Sequence, residues 1–305
     1  MKIRTRQIRI NKEMEDRTAE SILAREFGMA GARISRLKRS NSGVCLNGIR
    51  VYTTARVHAG DLLSAEIGDD PPRPTAEPVA MPLDIVYEDE DLLILNKPAG
   101  LAVQPTRDPN EISLEHGLAA YLQNGDVAHP ASRLDKGTTG LMTVAKSGYV
   151  HELLRRKMHT AEFRREYRGI CIGTPAPHAG RIELPIGFYE GSSYQRAIRP
   201  DGAPSLTEYE TLEILAGMAL LRLIPHTGRT HQLRLHMAAI GCPLAGDFLY
   251  GTENRELIQR PALHSYELWL VQPVTGEPLH FIAPIPEDMR KILTSQNLHE
   301  RKGLS

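Results

Sequence analysis

The spacing of hydrophobic positions in the first 70 residues predicts two short amphipathic helices. Ile22, Leu23 and Phe27 recur at the interval of one helix face. Ile34 and Leu37 lie three residues apart and predict a second helix within residues 32–40. Each helix therefore has one apolar face to bury and one polar face to expose.

A small sheet is expected beside these helices. Short apolar runs flank Asn47-Gly48, and such a pair predicts a two-residue hairpin turn because both central residues must adopt positive φ. After a turn at Ala59-Gly60-Asp61, the run Leu62–Ile67 predicts another strand. The first 70 residues thus have the pattern of a compact module.

From residue 83 onward, predicted strands and helices interleave irregularly. The predicted strands are Leu83–Tyr87, Leu92–Leu95, Leu141–Ala145, Phe163–Ile172, Thr207–Leu215 and Ala219–Ile224, and the predicted helices are Ser113–Leu122, Tyr149–Met158 and Thr230–Ile240. Short turns join many of these strands. The pattern favours an α+β fold, with a mixed, largely antiparallel sheet flanked by helices, over a regularly alternating parallel sheet.

A proline-rich segment separates the two regions. Residues 71–82 contain five prolines, which lack a backbone donor and favour extended chain. The predicted organisation is a first domain over residues 1–70, a linker over 71–82, a second domain over 83–297 and a tail over 298–305. With 305 residues, the chain is long enough for two such units.

The formal net charge of zero conceals a strong local imbalance. Residues 1–50 contain 12 Lys and Arg against five Asp and Glu, a local net charge of +7, whereas the 235 residues after position 70 carry a net charge of −4. Four cations on or beside the second predicted helix are candidates for contact with RNA phosphates: Arg33, Arg36, Lys38 and Arg39. The alternative is that these charges only solvate a helix face.

Composition excludes several other classes of protein. No apolar run approaches the ~20 residues that a membrane span requires. Cys45, Cys171 and Cys242 are scattered and odd in number, which is typical of a reducing compartment. No H-E-x-x-H arrangement is present. We therefore expect a cytoplasmic, monomeric protein without a membrane span, a metal site or a disulfide.

The first candidate for chemistry is a polar loop that precedes an apolar strand. It carries Arg133, Asp135 and Lys136, followed by Gly137 and two threonines. Such a loop can hold a carboxylate at the rim of a cleft, although Asp135 could instead cap a turn and pair with a neighbouring arginine. The nearby segment 140–147 resembles a phosphate-binding loop, but its second glycine is Ala145 and its centre predicts a strand.

The second candidate is the segment 225–236, where a strand ends and a helix begins. Arg229, His231 and Arg234 crowd the start of this helix. Because cations are favoured at the other end of a helix, two arginines here predict a nearby anion, either a phosphate or a carboxylate.

Taken together, these segments resemble the RluA-type pseudouridine synthases. The resemblance lies in the loop around Asp135, the Tyr167 strand, and segments 96–100, 228–236, 246–251 and 263–268, and it extends over about residues 82–293. Residues 10–68 resemble the alpha-L RNA-binding motif that is appended to several RNA-modifying enzymes. This second resemblance implies an RNA-binding role for the first module.

The resemblance to the synthases implies roles for particular residues. Asp135 corresponds to the catalytic carboxylate, Tyr167 to the tyrosine that contacts the target base, and Arg234 to the basic partner of the carboxylate. Arg133 corresponds to an RNA contact near the flipped nucleotide, and we predict that Arg229 and His231 also bind RNA. The family pattern differs at Ser132, in the segment Gly137-Thr138-Thr139-Gly140 where the family usually has Asp-Thr-Ser-Gly, and at Arg165.

The implied activity is isomerisation of uridine to pseudouridine in structured RNA, with no cofactor and no metal. Ribosomal RNA is favoured over transfer RNA because of the alpha-L resemblance. Two roles stay open for Asp135, as a nucleophile at C1′ or as a base at C2′. Two other functions also stay open: a noncatalytic RNA-binding or ribosome-assembly factor on the same scaffold, and an enzyme acting on free nucleotides.

Overall fold

The computed structural model describes residues 4–68, 76–122 and 127–302. The strands in these residues form three sheets, with four, ten and two strands. Residues 71–75 of the predicted linker and residues 303–305 of the predicted tail lie outside the described residues. No helix in the described ranges is both long enough and apolar enough to cross a membrane.

The four-stranded sheet belongs to the first module. Its strands are β1 (Thr5–Arg9), β2 (Val44–Leu46), β3 (Ile49–Arg50) and β4 (Leu62–Glu66), in the antiparallel order β1-β4-β2-β3. Helices α1 (Ala19–Arg25) and α2 (Gly31–Leu37) contact each other and share an apolar core with the sheet. Asn47 and Gly48 have φ angles of 50° and 81°, so the predicted hairpin turn is confirmed.

The second region contains the remaining elements. Its strands are β5 (Ile85–Glu88), β6 (Leu92–Lys97), β7 (His129–Pro130), β8 (Thr139–Ala145), β9 (Phe163–Ile172), β10 (Ala179–Glu183), β11 (Ile186–Phe188), β12 (Arg196–Ile198), β13 (Leu206–Leu215), β14 (Met218–Pro225), β15 (Leu263–Val271) and β16 (Pro278–Ile282). Its helices are α3 (Leu114–Tyr121), α4 (Gly148–Lys157), α5 (Gln232–Ala239) and α6 (Glu287–Lys302).

Ten of these strands form one twisted, mixed sheet. Its main order is β10-β13-β14-β9-β15-β8-β6-β5, with β16 paired to β15 and β7 paired to β8. Among the described pairings only β8 with β15 is parallel, and the others are antiparallel. The predicted α+β class with a largely antiparallel sheet is therefore confirmed.

Strand β6 is buried on both faces of the large sheet. Leu93 and Leu95 face a first core, which also contains Tyr167. Leu92 and Ile94 face a second core on the opposite side of the sheet. A strand covered on both sides needs a continuous apolar run rather than alternation, which explains the sequence Leu-Leu-Ile-Leu. The first of these cores lies beneath the candidate site.

The second core continues into the first module and joins the two regions. At the junction, Tyr149 of α4 donates its hydroxyl to the Phe27 carbonyl at 2.6 Å and accepts from Arg6 Nη1 at 2.6 Å. The Arg33 guanidinium lies 5.5 Å from the Tyr149 ring centroid. The two regions therefore have separate sheets but share one hydrophobic core. Their division into two domains, with a linker between residues 70 and 83, stays a prediction. The predicted boundary at residue 297 falls inside α6.

The junction can be tested by Tyr149→Phe. This substitution removes only the buried hydroxyl and both of its hydrogen bonds, so we expect the free energy of unfolding to fall by about 1–3 kcal/mol in urea denaturation. Tyr52→Phe is the matched control, because the Tyr52 side chain is 80% exposed. Equal stability of the two variants would contradict the role given to the Tyr149 hydroxyl.

Candidate active site

Asp135 lies in the loop between β7 and β8, at the end of the sheet away from α4. Its side chain is 24% exposed, so the carboxylate is half-buried but reachable from solvent. The loop is closed by a bond from the Thr138 backbone N–H to the Asp135 carbonyl at 2.9 Å. The Lys136 carbonyl also accepts from the Gly100 backbone N–H at 2.9 Å. These backbone bonds hold the loop that carries the carboxylate.

Lys97 is a buried cation at the end of β6 beside this loop. Its ammonium group donates to the carbonyls of Pro98 and Leu101 at 2.8 Å and to that of Lys136 at 3.3 Å. Burial lowers the pKa of Lys97 to about 8, although the negative charge of Asp135 opposes this shift. The sequence analysis gave Lys97 no role beyond the family resemblance of segment 96–100.

Arg234 on α5 faces Asp135 from the other side of the cleft. Arg234 Nη1 lies 3.6 Å from Asp135 Oδ2, which is a charge contact longer than a hydrogen bond. Burial alone would lower the pKa of Arg234, but its hydrogen bonds to Asp247 and the nearby charges of Asp247 and Asp135 raise this pKa above its usual value. The guanidinium therefore stays charged beside the half-buried carboxylate.

Asp247 is the principal partner of Arg234. It accepts from Nε and Nη2 of Arg234 at 2.7 Å each, and from the backbone N–H groups of Leu249 and Tyr250 at 3.0 and 3.2 Å. The Asp247 side chain is fully buried. The sequence predicts the pair of Arg234 with Asp135, and the Gly-Asp-x-x-Tyr-Gly motif around Asp247 was the signal that could have pointed to this second carboxylate.

His231 also approaches the carboxylate, at the start of α5. Its Nε2 atom lies 4.0 Å from Asp135 Oδ1, and its Nδ1 atom lies 2.9 Å from the Tyr250 hydroxyl. Burial lowers the pKa of His231 below its usual value, while the charge of Asp135 opposes the shift. The structure thus places His231, a predicted RNA contact, beside the catalytic candidate.

Tyr167 lies on β9, in the core beneath the Asp135 loop. Its ring is 5% exposed and belongs to the same apolar cluster as Leu134 and Leu233, the neighbours in sequence of Asp135 and Arg234. In the sheet register, Tyr167 pairs with Leu223 of β14 and Ser265 of β15. The three predicted catalytic residues are thus held by one packed core.

A hairpin formed by β11 and β12 borders a groove of about 860 Å³ next to this site. The groove is also lined by Arg229, which is exposed and donates from Nε to the Pro204 carbonyl at 3.2 Å. Three exposed aromatic side chains belong to the hairpin or its loop: Phe188, Tyr189 and Tyr194. The Arg196 guanidinium lies only 3.5 Å from the Phe188 ring centroid.

Arg133 is exposed on the opposite side of the Asp135 loop. Its Nη1 donates to Gln104 Oε1 at 3.2 Å, and Gln104 Nε2 donates to Glu115 Oε1 at 3.2 Å. Glu115 is buried in the first turn of α3. The Arg133 side chain is therefore held by two successive hydrogen bonds that begin at buried Glu115. Its role as an RNA contact stays a prediction.

The four cations predicted for RNA binding in the first module have different surroundings. Arg33 stacks on Tyr149, Arg36 donates to the Gly68 carbonyl at 3.3 Å, and Lys38 pairs with Glu20 at 3.1 Å. Arg39 is exposed. Three of the four therefore have partners within the chain, and all four stay predictions as RNA contacts.

A metal centre was not expected. Within residues 4–68, 76–122 and 127–302, no group of three or more His, Cys, Asp or Glu side chains is placed to hold a metal ion. The Asp135, Arg234, Asp247 arrangement instead holds one accessible carboxylate against a buried cation. Such a site can act on an electrophilic carbon or hold a base for proton transfer.

The chain has close relatives along most of its length. The family model described as RNA pseudouridylate synthase matches residues 91–239. An uncharacterized RNA pseudouridine synthase of Bacillus subtilis (strain 168) is 35% identical over 279 residues, which cover 90% of this chain and 98% of the relative. The chain belongs to the RNA pseudouridylate synthase family.

Other synthases place this one among the RluA-type enzymes, as the resemblance implied. The ribosomal large subunit pseudouridine synthase D of Yersinia pestis is 36% identical over 304 residues, covering 91% of this chain and 92% of the relative. The fold is similar to that of human RNA pseudouridylate synthase domain containing 4, with a TM-score of 0.57 and 24% identity. That match covers 70% of this chain and 93% of the human chain.

The pseudouridine synthase is thus an isomerase that acts on RNA. The region matched by the family model includes Asp135, Tyr167 and Arg234, but it ends before Asp247. The roles of these side chains stay predictions.

The buried ammonium of Lys97 predicts a pH dependence of stability. Lys97 loses its proton near pH 8 in the folded synthase and near 10.5 when exposed, so between these values the unfolded chain holds more protons. Relative to Lys97→Met, the free energy of unfolding should therefore rise with pH in this window, by up to about 1.4 kcal/mol per pH unit.

Urea denaturation at several pH values above 7 measures this difference. Lys12→Met is the matched control, because Lys12 is exposed and its loss should leave the rise intact. Parallel stability curves for the native chain and Lys97→Met would show that Lys97 is not perturbed in this way.

Proposed function

We propose that this synthase isomerises uridines in ribosomal RNA and that Asp135 acts at the sugar of the target nucleotide. The observation that carries the chemical part is the geometry of one carboxylate, 24% exposed, facing a guanidinium that is 4% exposed. The relatives named large subunit synthases support the choice of ribosomal RNA. The first module, with its resemblance to an RNA-binding motif, supports the same choice.

The reaction breaks the N1–C1′ bond of uridine and forms a C5–C1′ bond. The C5 proton is lost to solvent and N1 takes up a proton, so that the product is an isomer of the substrate. Asp135 can begin it as a nucleophile at C1′ or as a base at C2′, and both routes require an ionised carboxylate. Arg234 stabilises that form from 3.6 Å. Because Asp247 takes the hydrogen bonds of Arg234, the cation favours the charge of Asp135 without occupying its oxygens with short bonds.

The proposed contact of Tyr167 with the target base is supported by its packing. Its side chain is 5% exposed and belongs to the core cluster that contains Leu134, the neighbour of Asp135. A ring held this firmly can support a flipped uracil without first losing side-chain freedom. The proposed assignment is thus Asp135 at the sugar and Tyr167 at the base.

The groove beside the hairpin provides a surface for the RNA around the target. Arg229 supplies positive charge along it, whereas Arg199 is paired with Asp201, and exposed Tyr189 adds a ring on which a base can stack. Arg196 and Phe188 are already stacked on each other, which holds both side chains in place. Unpaired loop nucleotides suit such a surface better than a regular RNA helix, because their bases are free to leave the stack.

The catalytic assignment is tested by Asp135→Asn. We expect release of tritium from RNA labelled at uridine C5 to fall about 10³-fold or more, because the amide can neither attack nor take a proton. RNA affinity should stay equal or rise, since one negative charge near the phosphates is removed. A strain with this variant as its only copy should lose specific pseudouridines from ribosomal RNA in a transcriptome-wide map.

Glu213→Gln is the control for Asp135→Asn, because it neutralises an exposed carboxylate at the far end of β13. Undiminished tritium release from Asp135→Asn would contradict the role of Asp135. Loss of pseudouridine from transfer RNA alone would contradict ribosomal RNA as the substrate.

The RNA-binding role of the first module is tested at Arg39, an exposed candidate. Arg39→Ala should weaken RNA binding and make the slope of log affinity against log salt shallower by about one unit, because one phosphate contact is lost. Deleting the whole module would instead expose the apolar surface around Tyr149. The control is Arg25→Ala, which removes an exposed cation from α1 of the same module. Identical salt slopes for Arg39→Ala and the native chain would refute the contact.

A further inference from the structure

A chain of hydrogen bonds connects the hairpin that borders the groove to the neighbourhood of Asp135. The Arg196 backbone N–H in β12 donates to the Tyr250 hydroxyl at 2.9 Å. The same hydroxyl lies 2.9 Å from His231 Nδ1, and His231 Nε2 lies 4.0 Å from Asp135 Oδ1. The His231 imidazole thus lies between the Tyr250 hydroxyl and the Asp135 carboxylate.

The direction of these bonds follows from the number of protons available. A backbone N–H can only donate, so the Tyr250 oxygen accepts from Arg196 and keeps its own proton to give. If His231 carried its proton on Nδ1, the Tyr250 hydroxyl proton would lose its acceptor and the bare Nε2 lone pair would face Asp135. With the proton on Nε2, Tyr250 donates to Nδ1 and a polar N–H faces the carboxylate. Both contacts therefore favour the Nε2–H tautomer.

The backbone and the burial of His231 agree with a fixed position. His231 has φ 58° and ψ 17°, a left-handed conformation that costs a residue with a side chain about 1 kcal/mol or more. Its side chain is only 14% exposed. Burial lowers the pKa of the ring, and the charges of Arg234 and Arg196 act in the same direction while those of Asp135 and Asp247 oppose the shift.

We propose that His231 is a positioning residue for Asp135, with its Nε2–H directed at the carboxylate in a tautomer that Tyr250 fixes and the hairpin backbone at Arg196 supports. The inference rests on the proposed catalytic role of Asp135. His231 would thus orient Asp135 within the active site, in place of the RNA contact that its sequence context predicts.

The arrangement also makes the site sensitive to the hairpin. The contacts of Asp135 with His231 and Arg234, at 4.0 and 3.6 Å, are both longer than hydrogen bonds. Catalytic hydrogen bonds are often long in a free enzyme and shorten when substrate binds. The hairpin borders the groove and also donates to the Tyr250 hydroxyl. RNA bound in the groove would therefore contact the element that supports the orientation of the imidazole.

The tautomer can be observed directly by ¹⁵N NMR of the full chain labelled at histidine, with His231→Asn used to assign the resonance. At pH 7.5 we expect His231 to show a protonated Nε2 and an unprotonated Nδ1. In Tyr250→Phe, Nδ1 loses its donor, so the Nδ1–H tautomer should become populated and the pKa of His231 should rise. A native His231 protonated on Nδ1 would overturn the inference without reference to activity.

Kinetics test whether the tautomer matters for the reaction. Tyr250→Phe should lower kcat for pseudouridine formation about five- to tenfold, the effect of one lost hydrogen bond, with little change in KM for RNA. Tyr121→Phe is the matched control, because it removes a hydroxyl that bonds Glu88 on the outer strand β5. Unchanged kcat in Tyr250→Phe, or a change confined to KM, would overturn the positioning role.

These outcomes are distinct from a failure of the proposed function. If Asp135→Asn stays active, the catalytic assignment fails whatever the tautomer of His231. If Asp135→Asn is inactive but kcat is unchanged in Tyr250→Phe, only the positioning role fails.

Discussion

The buried ion pair between Arg234 and Asp247 is the interaction on which the rest of the site depends. A guanidinium that is 4% exposed is stable only if its charge and its N–H groups find partners, and Asp247 supplies two hydrogen bonds at 2.7 Å. Asp247 also accepts two backbone N–H groups from the turn that leads to Tyr250. One carboxylate thus holds helix α5, the turn after it and the cation that faces Asp135.

Strand β6 of the large sheet also supports the site, because it connects the first module to the Asp135 loop. Strand β6 follows Asp91, which pairs with Arg4 of the first module at 2.5 Å, and it ends at Lys97, which bonds the Asp135 loop. Six residues at ~3.3 Å each place about 20 Å between the two ends. The first module therefore packs far from the Asp135 carboxylate, but against the strand that supports the Asp135 loop. A fully buried strand resists local distortion.

Sequence patterns predicted the elements whose signals are local. The hairpin at Asn47-Gly48, the helix at α4 and the long strands β9 and β13 each follow from periodicity or from turn chemistry within a few residues. Strand β1 was missed because Thr5–Arg9 contains a single hydrophobic residue, Ile8, and so carries little apolar periodicity. Asp247, the second carboxylate beside Arg234, was not singled out because it is 13 residues away in sequence, and which carboxylates surround a buried guanidinium depends on tertiary packing.

The distribution of charge illustrates the same limit. The excess of +7 in residues 1–50 predicts a basic RNA surface, yet the fold uses several of these cations internally. Arg4 and Arg6 hold the junction with the second region, and Arg33 stacks on Tyr149. A cation that satisfies a carbonyl or covers a ring releases fewer counterions on meeting RNA than a free one. Local charge thus overstates the RNA-facing surface of the first module. The same reasoning applies beside the groove, where Arg199 pairs with Asp201, Arg196 stacks on Phe188 and Arg229 bonds a carbonyl, so the exposed rings of Tyr189 and Tyr194 gain weight over charge as contacts for the substrate.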